Sequence, residues 1–296
     1  MTKALFKPFD IHKWLVVGFT AFLAGLTDWT GEGGSGGDGR GDADVEDVLN
    51  FPLVAWDWLL DHPGWFTLIL FGFIFVIVLG ILLTWLSSRG KFMFLDNVVH
   101  DRAQVVKPWY EFRGLGNSLF VWRLCFGVIC FIVFMAFLVF SFFVFHHLYE
   151  SYFPLWTTAL STLGLAVLAL SLIVTAAYVA LFLNDFVVPI MYKNNVTVIP
   201  AWGRFLQLFG RHLLHFLLYG ILVLFFYVSV IICVILAGLM TCCIGFIFLI
   251  IPYINSVITL PISYTFRAFS LEFLEQFGPE FSIFPQPDET VPRTQT

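Results

Sequence analysis

Charge is what this sequence has least of. Asp, Glu, Lys and Arg make up 12% of its 296 residues, where soluble domains carry about 25%. Hydrophobic residues make up 59%, and the mean hydropathy is +0.90. Folding in water hides at most about three quarters of the surface of a chain this long, so this much apolar surface needs lipid as its solvent. Disulfide bonding is also excluded as the framework. The five cysteines, Cys125, Cys130, Cys233, Cys242 and Cys243, lie in or beside apolar runs, where a free thiol is a small packing residue. Catalytic signatures are missing too. There is no G-x-S-x-G, no H-E-x-x-H, no glycine loop leading to a phosphate-binding Lys, and no carboxylate pair inside an apolar run. The chain therefore reads as a non-enzyme without cofactor or metal site. A net charge of −5 and the lack of a basic run leave no nucleic-acid partner to expect.

What the sequence has is long apolar runs. About 20 such residues cross the hydrocarbon core as a helix, and five runs suffice: Phe66 to Trp85, Leu119 to Phe145, Leu155 to Leu183, Leu213 to Gly238, and Ile244 to Phe266. Arg123 is their one charged residue, close enough to its run's start to reach the headgroups. Ile11 to Trp29 is shorter and reads as a thin sixth span with Trp14 and Trp29 at its two interfaces. A secretory signal fits it poorly, because Asp10 interrupts the basic region and no A-x-A pattern follows. With six spans and the N-terminus inside, all of the 15 Lys and Arg residues except Arg40 fall on the inner side. With five spans, Lys3, Lys7 and Lys13 move outside and the bias weakens. The expected fold is all-α, a polytopic transmembrane helical bundle of about six spans with both termini cytoplasmic.

The domain division follows. Residues 1–29 form a short span or interfacial helix, and 30–65 a Gly-rich, then acidic, outer loop ending in an interfacial helix. Residues 66–282 form the bundle with two inner-face loops, and 283–296 a disordered Pro-rich tail. In the loop Ser87–Ser118, Asp96 reads as the cap of one short helix. Pro108 reads as the first turn of a second, which Gly114 and Gly116 stop, and Asn117 or Ser118 then caps the next span. The other loop is Asn184–His212. Downstream, Phe266, Phe269, Phe273 and Phe277 recur at helical spacing up to Gly278-Pro279, an amphipathic extension of the last span.

Two stretches carry resemblances. Ser88 to Asn97, continuing through Pro108-Trp109 to Gly116 to Phe120, resembles a family of uncharacterised bacterial multispanning proteins. Asp185 to Met191 is similar to the membrane domain attached to some glycerophosphodiester phosphodiesterases, and Lys7 to Asp10 before Trp14 fits the same group. The resemblance implies a helical bundle in a bacterial cytoplasmic (inner) membrane. It implies no activity, since the phosphodiesterase chemistry belongs to a separate soluble domain.

Two sites are candidates. Arg89, Asp96, Arg102, Trp109, Arg113, Asp185 and Pro189 mark an inner-face interaction site, because both loops mix charge with large apolar residues. Connectors alone are short and polar; these loops are expected to fold against each other or against a partner. Asp96, Asp101 and Glu111 are expected to pair with Arg102, Lys107, Arg113 or Arg204. Pro252, Tyr253, Asn255 and Pro261 mark a solute path, since proline-broken helices line transporter sites, although simple kinks are commoner. Histidine pairs (His146-His147, and His212 with His215) sit at opposite membrane faces and read as interfacial rather than as metal or haem ligands. The run Asp42 to Asp47 lacks the Gly and Glu of an EF-hand. The expected function is a non-catalytic scaffold, assembly or partner-binding subunit. Its partners are membrane lipids and another membrane or cytoplasmic protein. The alternative is a small permease or channel for a neutral or lipidic solute.

Overall fold

A computed structural model describes residues 11–25, 56–100, 103–150, 154–241 and 251–283. We number its helices α1 (Ile11–Gly25), α2 (Pro63–Val99), α3 (Val106–Glu111), α4 (Arg113–Glu150), α5 (Leu155–Phe182), α6 (Val188–Asn194), α7 (Val198–Arg211), α8 (Leu213–Met240), α9 (Pro252–Ile258) and α10 (Leu260–Glu275). A π-helical turn, Leu183–Val187, joins α5 to α6, and a 3-10 turn, Pro279–Phe281, follows α10. Among the described residues every regular element is helical. Lipid offers backbone groups no partners, so a spanning segment must bond internally, and a helix does.

Among the described residues, four stretches are long and apolar enough to cross a membrane: Pro63–Val99, Arg113–Leu148, Trp156–Asn194 and Leu213–Met240. By length and composition these four fit a helical membrane protein. The other two expected spans differ. α1 has 15 residues, about 22 Å of helix against a hydrocarbon core of about 30 Å. The run from Ile244 begins outside the described residues, as do Cys242 and Cys243. Its later part is two helices, α9 and α10, that meet at Thr259.

Several boundaries shift from the sequence expectation. α2 does not end at Trp85 but runs on to Val99, so Asp96 lies inside a helix instead of capping one. Gly114 and Gly116 stop nothing, since α4 starts at Arg113 and passes through them. Residues 184–194 are not a loop, because α5 continues through the π turn into α6. The cause is common to all three. Hydropathy reports where lipid begins, but buried backbone needs internal hydrogen bonds whether lipid or protein buries it. Ser87, Ser88 and Gly90–Val99 are all buried. Pro108 does lie in the first turn of α3.

The chain divides into two units, and the division falls within α2, α4 and α5. Unit 1 comprises Met1–Thr27, Trp85–Trp122 and Tyr178–Thr296; unit 2 comprises Asp28–Thr84 and Arg123–Ala177. Unit 1 holds a core rich in phenylalanine. Phe92, Phe186, Phe205 and Phe216 are fully buried together with Leu95, Met191 and Leu271. Phe186 stacks on Phe205 with centroids 5.5 Å apart, and Phe216 meets it edge-on at 5.0 Å. The stripe Phe269, Phe273 and Phe277 of α10 and its extension packs against this core. A smaller cluster joins Val17 of α1 to Phe94, Val98, Leu260 and Tyr264. The apolar side chains of unit 2 stand largely exposed, Phe71 at 68% and Phe75 at 67%, the surface of helices solvated by lipid.

Candidate functional site

The polar chemistry of unit 1 gathers where the helix widens at Leu183–Val187. Val188 donates its N–H to the Leu183 carbonyl, one residue further back than in an α-helix. Pro189 follows and has no N–H to give. The carbonyl of Asn184 is thereby left without a donor in its own helix, and the Arg267 guanidinium of α10 supplies one at 2.6 Å. Lys91 Nζ of α2 donates to Asn184 Oδ1 at 2.6 Å. The neighbouring carboxylate, Asp185 Oδ2, accepts the Tyr219 hydroxyl of α8 at 3.0 Å. Lys91 and Arg267 are both buried, and the Tyr219 ring lies flat against Phe269, centroids 5.6 Å apart. Burying a cation is costly unless its N–H groups find acceptors, and Asn184 supplies one to each of two cations at one helix irregularity. Wide turns of this type recur at functional sites.

A second cluster closes the end of α2. Asp96, 1% exposed, accepts the Tyr192 hydroxyl of α6 at 2.8 Å and lies 3.1 Å from His100 Nδ1. Asn97 clamps the following turn, donating to the Gln104 carbonyl and accepting the Gln104 N–H. A third cluster is nearer the surface. The Arg89 guanidinium lies over Trp85 at 4.4 Å and over Trp109 at 5.0 Å, and donates to Asn117 Oδ1. Gly116 makes room for it, since a Cβ there would stand 2.8 Å from Arg89 Cγ. Next to Asn117, Ser118 Oγ accepts the N–H of Val198, the first residue of α7. These two residues therefore serve neighbouring elements, where the sequence reading had them capping a span.

Of the expected interaction-site residues, Arg89 and Trp109 come together, and Arg113 is exposed at the start of α4. Asp96 and Asp185 fall in separate clusters and point inward, because hydroxyls of α6 and α8 hold them. Pro189 is buried beside the π turn. Arg102 and Asp101 lie outside the described residues. Of the expected solute path, Pro252 opens α9 and Pro261 sits in the first turn of α10. Asn255 is half-buried, and Tyr253 donates its hydroxyl to the Leu15 carbonyl of α1 with its ring edge-on to Phe19 and Phe22. Tyr253 thus serves helix packing. His212 and His215 lie 5.8 Å apart, while His100 belongs to the Asp96 cluster. Among the described residues no three His, Cys, Asp or Glu side chains converge on a metal position.

Residues 1–254 match a family of unknown function, DUF7544. The chain belongs to that family. No curated protein and no solved structure matches it. The DUF7544 match gives no link to the phosphodiesterase membrane domains that Asp185 to Met191 resembles. It reaches into α9, so Lys91, Asn184, Asp185 and Tyr219 of the π-turn node lie within the matched stretch and Arg267 beyond it.

Sequence reasoning missed Lys91, Asn184, Tyr219 and Arg267 of this DUF7544 chain as members of a site. A usable signal was present for part of the node. Asn184-Asp185 places two polar residues directly after an apolar run and five and four residues before a proline. In a helix that continues, this spacing strips a donor from Asp185 and invites a wider turn. The identity of the partners from α2, α8 and α10 carries no such signal, because it depends on tertiary packing.

Proposed function

We propose that the chain is a non-catalytic membrane scaffold, an assembly or partner-binding subunit whose unit 1 is a preformed docking domain. One observation carries this reading: the charged groups that reach the interior, Lys91, Asp96, Asp185 and Arg267, make hydrogen bonds to the protein's own groups. A permeation path or active site would keep such groups facing a cavity. The docking surface we favour is α3 with the adjoining Arg89–Trp109 stack. There Val106 is 71% and Tyr110 67% exposed beside the exposed Lys107 and Glu111, an apolar patch flanked by charges of both signs. We place it on the cytoplasmic side of a bacterial inner membrane, with both termini on that side and about six spans, because lysine and arginine collect there. A photo-crosslinking residue at Tyr110 tests the reading in cells. The expected result is one dominant protein adduct that disappears in Trp109→Ala at unchanged abundance. Lipid-only adducts would refute it.

The solute-path alternative rests on the helix break at Thr259 between α9 and α10, a geometry found at transporter sites. It predicts solute flux in proteoliposomes that Asn255→Leu abolishes. The scaffold reading predicts none.

A further inference from the structure

Unlike the closed node at Asn184, one polar feature of unit 1 is open. A groove of about 340 Å³ is lined by Asn194, Arg204, Gln207 and Arg211, with Phe277 and Phe281 as apolar wall. Arg204 and Arg211 are exposed, and neither guanidinium has a hydrogen-bond or ion-pair partner among the described residues. The groove lies where candidate spans end. Asn194 closes the stretch Trp156–Asn194, and Arg211 with His212 immediately precedes Leu213–Met240. The 28 residues of Leu213–Met240 make about 42 Å of helix, the thickness of a bilayer with its headgroup layers, which sets Arg211 at headgroup depth when that helix spans.

Helix α7 is built for this depth. At about 100° per residue, its buried residues Val198, Ala201, Phe205 and Leu208 form one face. Arg204, Gln207 and Arg211 form a second, and the exposed Ile199 and Leu206 a third, more than a right angle from the arginines. A helix with a core face, a cationic face and a free apolar face fits the plane of the interface, with apolar side chains toward acyl tails and arginines toward phosphates. Arginine presents a planar fork that matches phosphate oxygens.

We propose that this groove binds the phosphate of an anionic glycerophospholipid headgroup. Arg204 and Arg211 hold the phosphate oxygens, and Phe277 and Phe281 line the glycerol end. Glu280 also lines the groove, so with two arginines the local charge is about +1. This suits a headgroup with one net negative charge and disfavours a multiply charged one. The inference stands independently of the scaffold reading, because a lipid site serves a permease equally.

The test is native mass spectrometry of the full chain in mild detergent with phosphatidylglycerol, phosphatidylethanolamine or phosphatidylcholine added. Phosphatidylglycerol should be retained preferentially. Arg204→Gln with Arg211→Gln should weaken its retention about fivefold per arginine, roughly 25-fold together, and Glu280→Gln should strengthen it. The charge-matched pair Lys107→Gln with Arg113→Gln, on exposed residues outside the groove, should leave phosphatidylglycerol retention unchanged whatever it does to protein docking. Equal loss in both pairs means diffuse attraction and overturns the site. Equal retention of the three lipids overturns it as well, and so does loss on Glu280→Gln, which would mark a headgroup ammonium. Displacement by millimolar glycerol 3-phosphate would reassign the groove to a soluble phosphate and overturn the lipid. Should the double variant lose its thermal transition, Arg211→Lys against Arg211→Gln decides. Lysine should preserve most of the retention; equal loss in both overturns charge recognition.

Discussion

The two parts of α2 lie in one helix and meet opposite surroundings. Before Thr84, in unit 2, Gly72 and Gly80 have open space where a Cβ would stand, and Phe71 and Phe75 are exposed. After Trp85, in unit 1, a Cβ on Gly90 would meet the backbone of Leu23 and Ala24 of α1 at 2.7 Å, and Phe92, Met93 and Leu95 are fully buried. Lipid solvates one part and protein packs the other. Apolar composition alone therefore says little about where this chain stores its folding specificity. Polar residues report it better: Ser87 donates to the Ala24 carbonyl of α1 and Lys91 to Asn184 of the π turn.

The comparison can be broken most decisively at the buried cations. Arg267→Ala removes the donor to the Asn184 carbonyl and the positive charge near Asp185 and Tyr219. A hydrogen bond made by a charged group contributes about 1.5–3 kcal/mol, so unfolding free energy in mixed micelles should fall by about that much. A variant of wild-type stability would show that the node stores nothing. Phe186→Ala should cost about 3–5 kcal/mol, as for an aromatic lost from a packed core. Phe75→Ala in unit 2 should stay within about 0.5 kcal/mol. Equal effects would show that unit 2 is also packed, by contacts made in the membrane.

Glycine gives the sharper contrast because the sign should change. Gly90→Ala puts a methyl against backbone that cannot swing away, an overpacking cost of about 1–3 kcal/mol. Gly72→Ala fills open space and removes helix-weakening flexibility, a gain of about 0.5–1 kcal/mol. Thermal midpoints of the two variants should move in opposite directions. A fall in both would mean that Gly72 packs closely against something in the bilayer.

These contrasts also show what was legible in the sequence. The helical class and the four long apolar helices were, because one property, a run of apolar residues, fixes both. The inner ends were not. Gly114, Gly116 and Asp96 read as helix punctuation by local rules, but Arg89 fills the space beside Gly116 and Tyr192 holds Asp96. Tertiary partners overrode local preference at Gly116 and Asp96, and α4 simply runs through Gly114. Arg89 and Trp109 were named together as a candidate site and do meet; Lys91 and Arg267 went unnamed because an isolated cation near a span end reads as an orientation signal. The π turn was half visible, through Pro189.

A further test separates geometry from charge at Arg89. Its guanidinium lies over two indoles, Trp85 and Trp109, which themselves meet edge-on with centroids 5.8 Å apart. Arg89 is half-buried, so each cation–π contact contributes on the order of 0.5–1 kcal/mol. Arg89→Lys keeps the charge, and so keeps any role in orienting the chain across the membrane, but an ammonium is compact and cannot lie flat between two rings while reaching Asn117. The expected loss is about 1 kcal/mol, with topology unchanged by cysteine accessibility. Trp109→Ala in the Arg89→Lys background should then cost less than it does in the wild type, since the stack is already weakened. Strict additivity of the two losses would mean that Arg89 and Trp109 are neighbours without coupling. The α3 surface would then rest on shape alone.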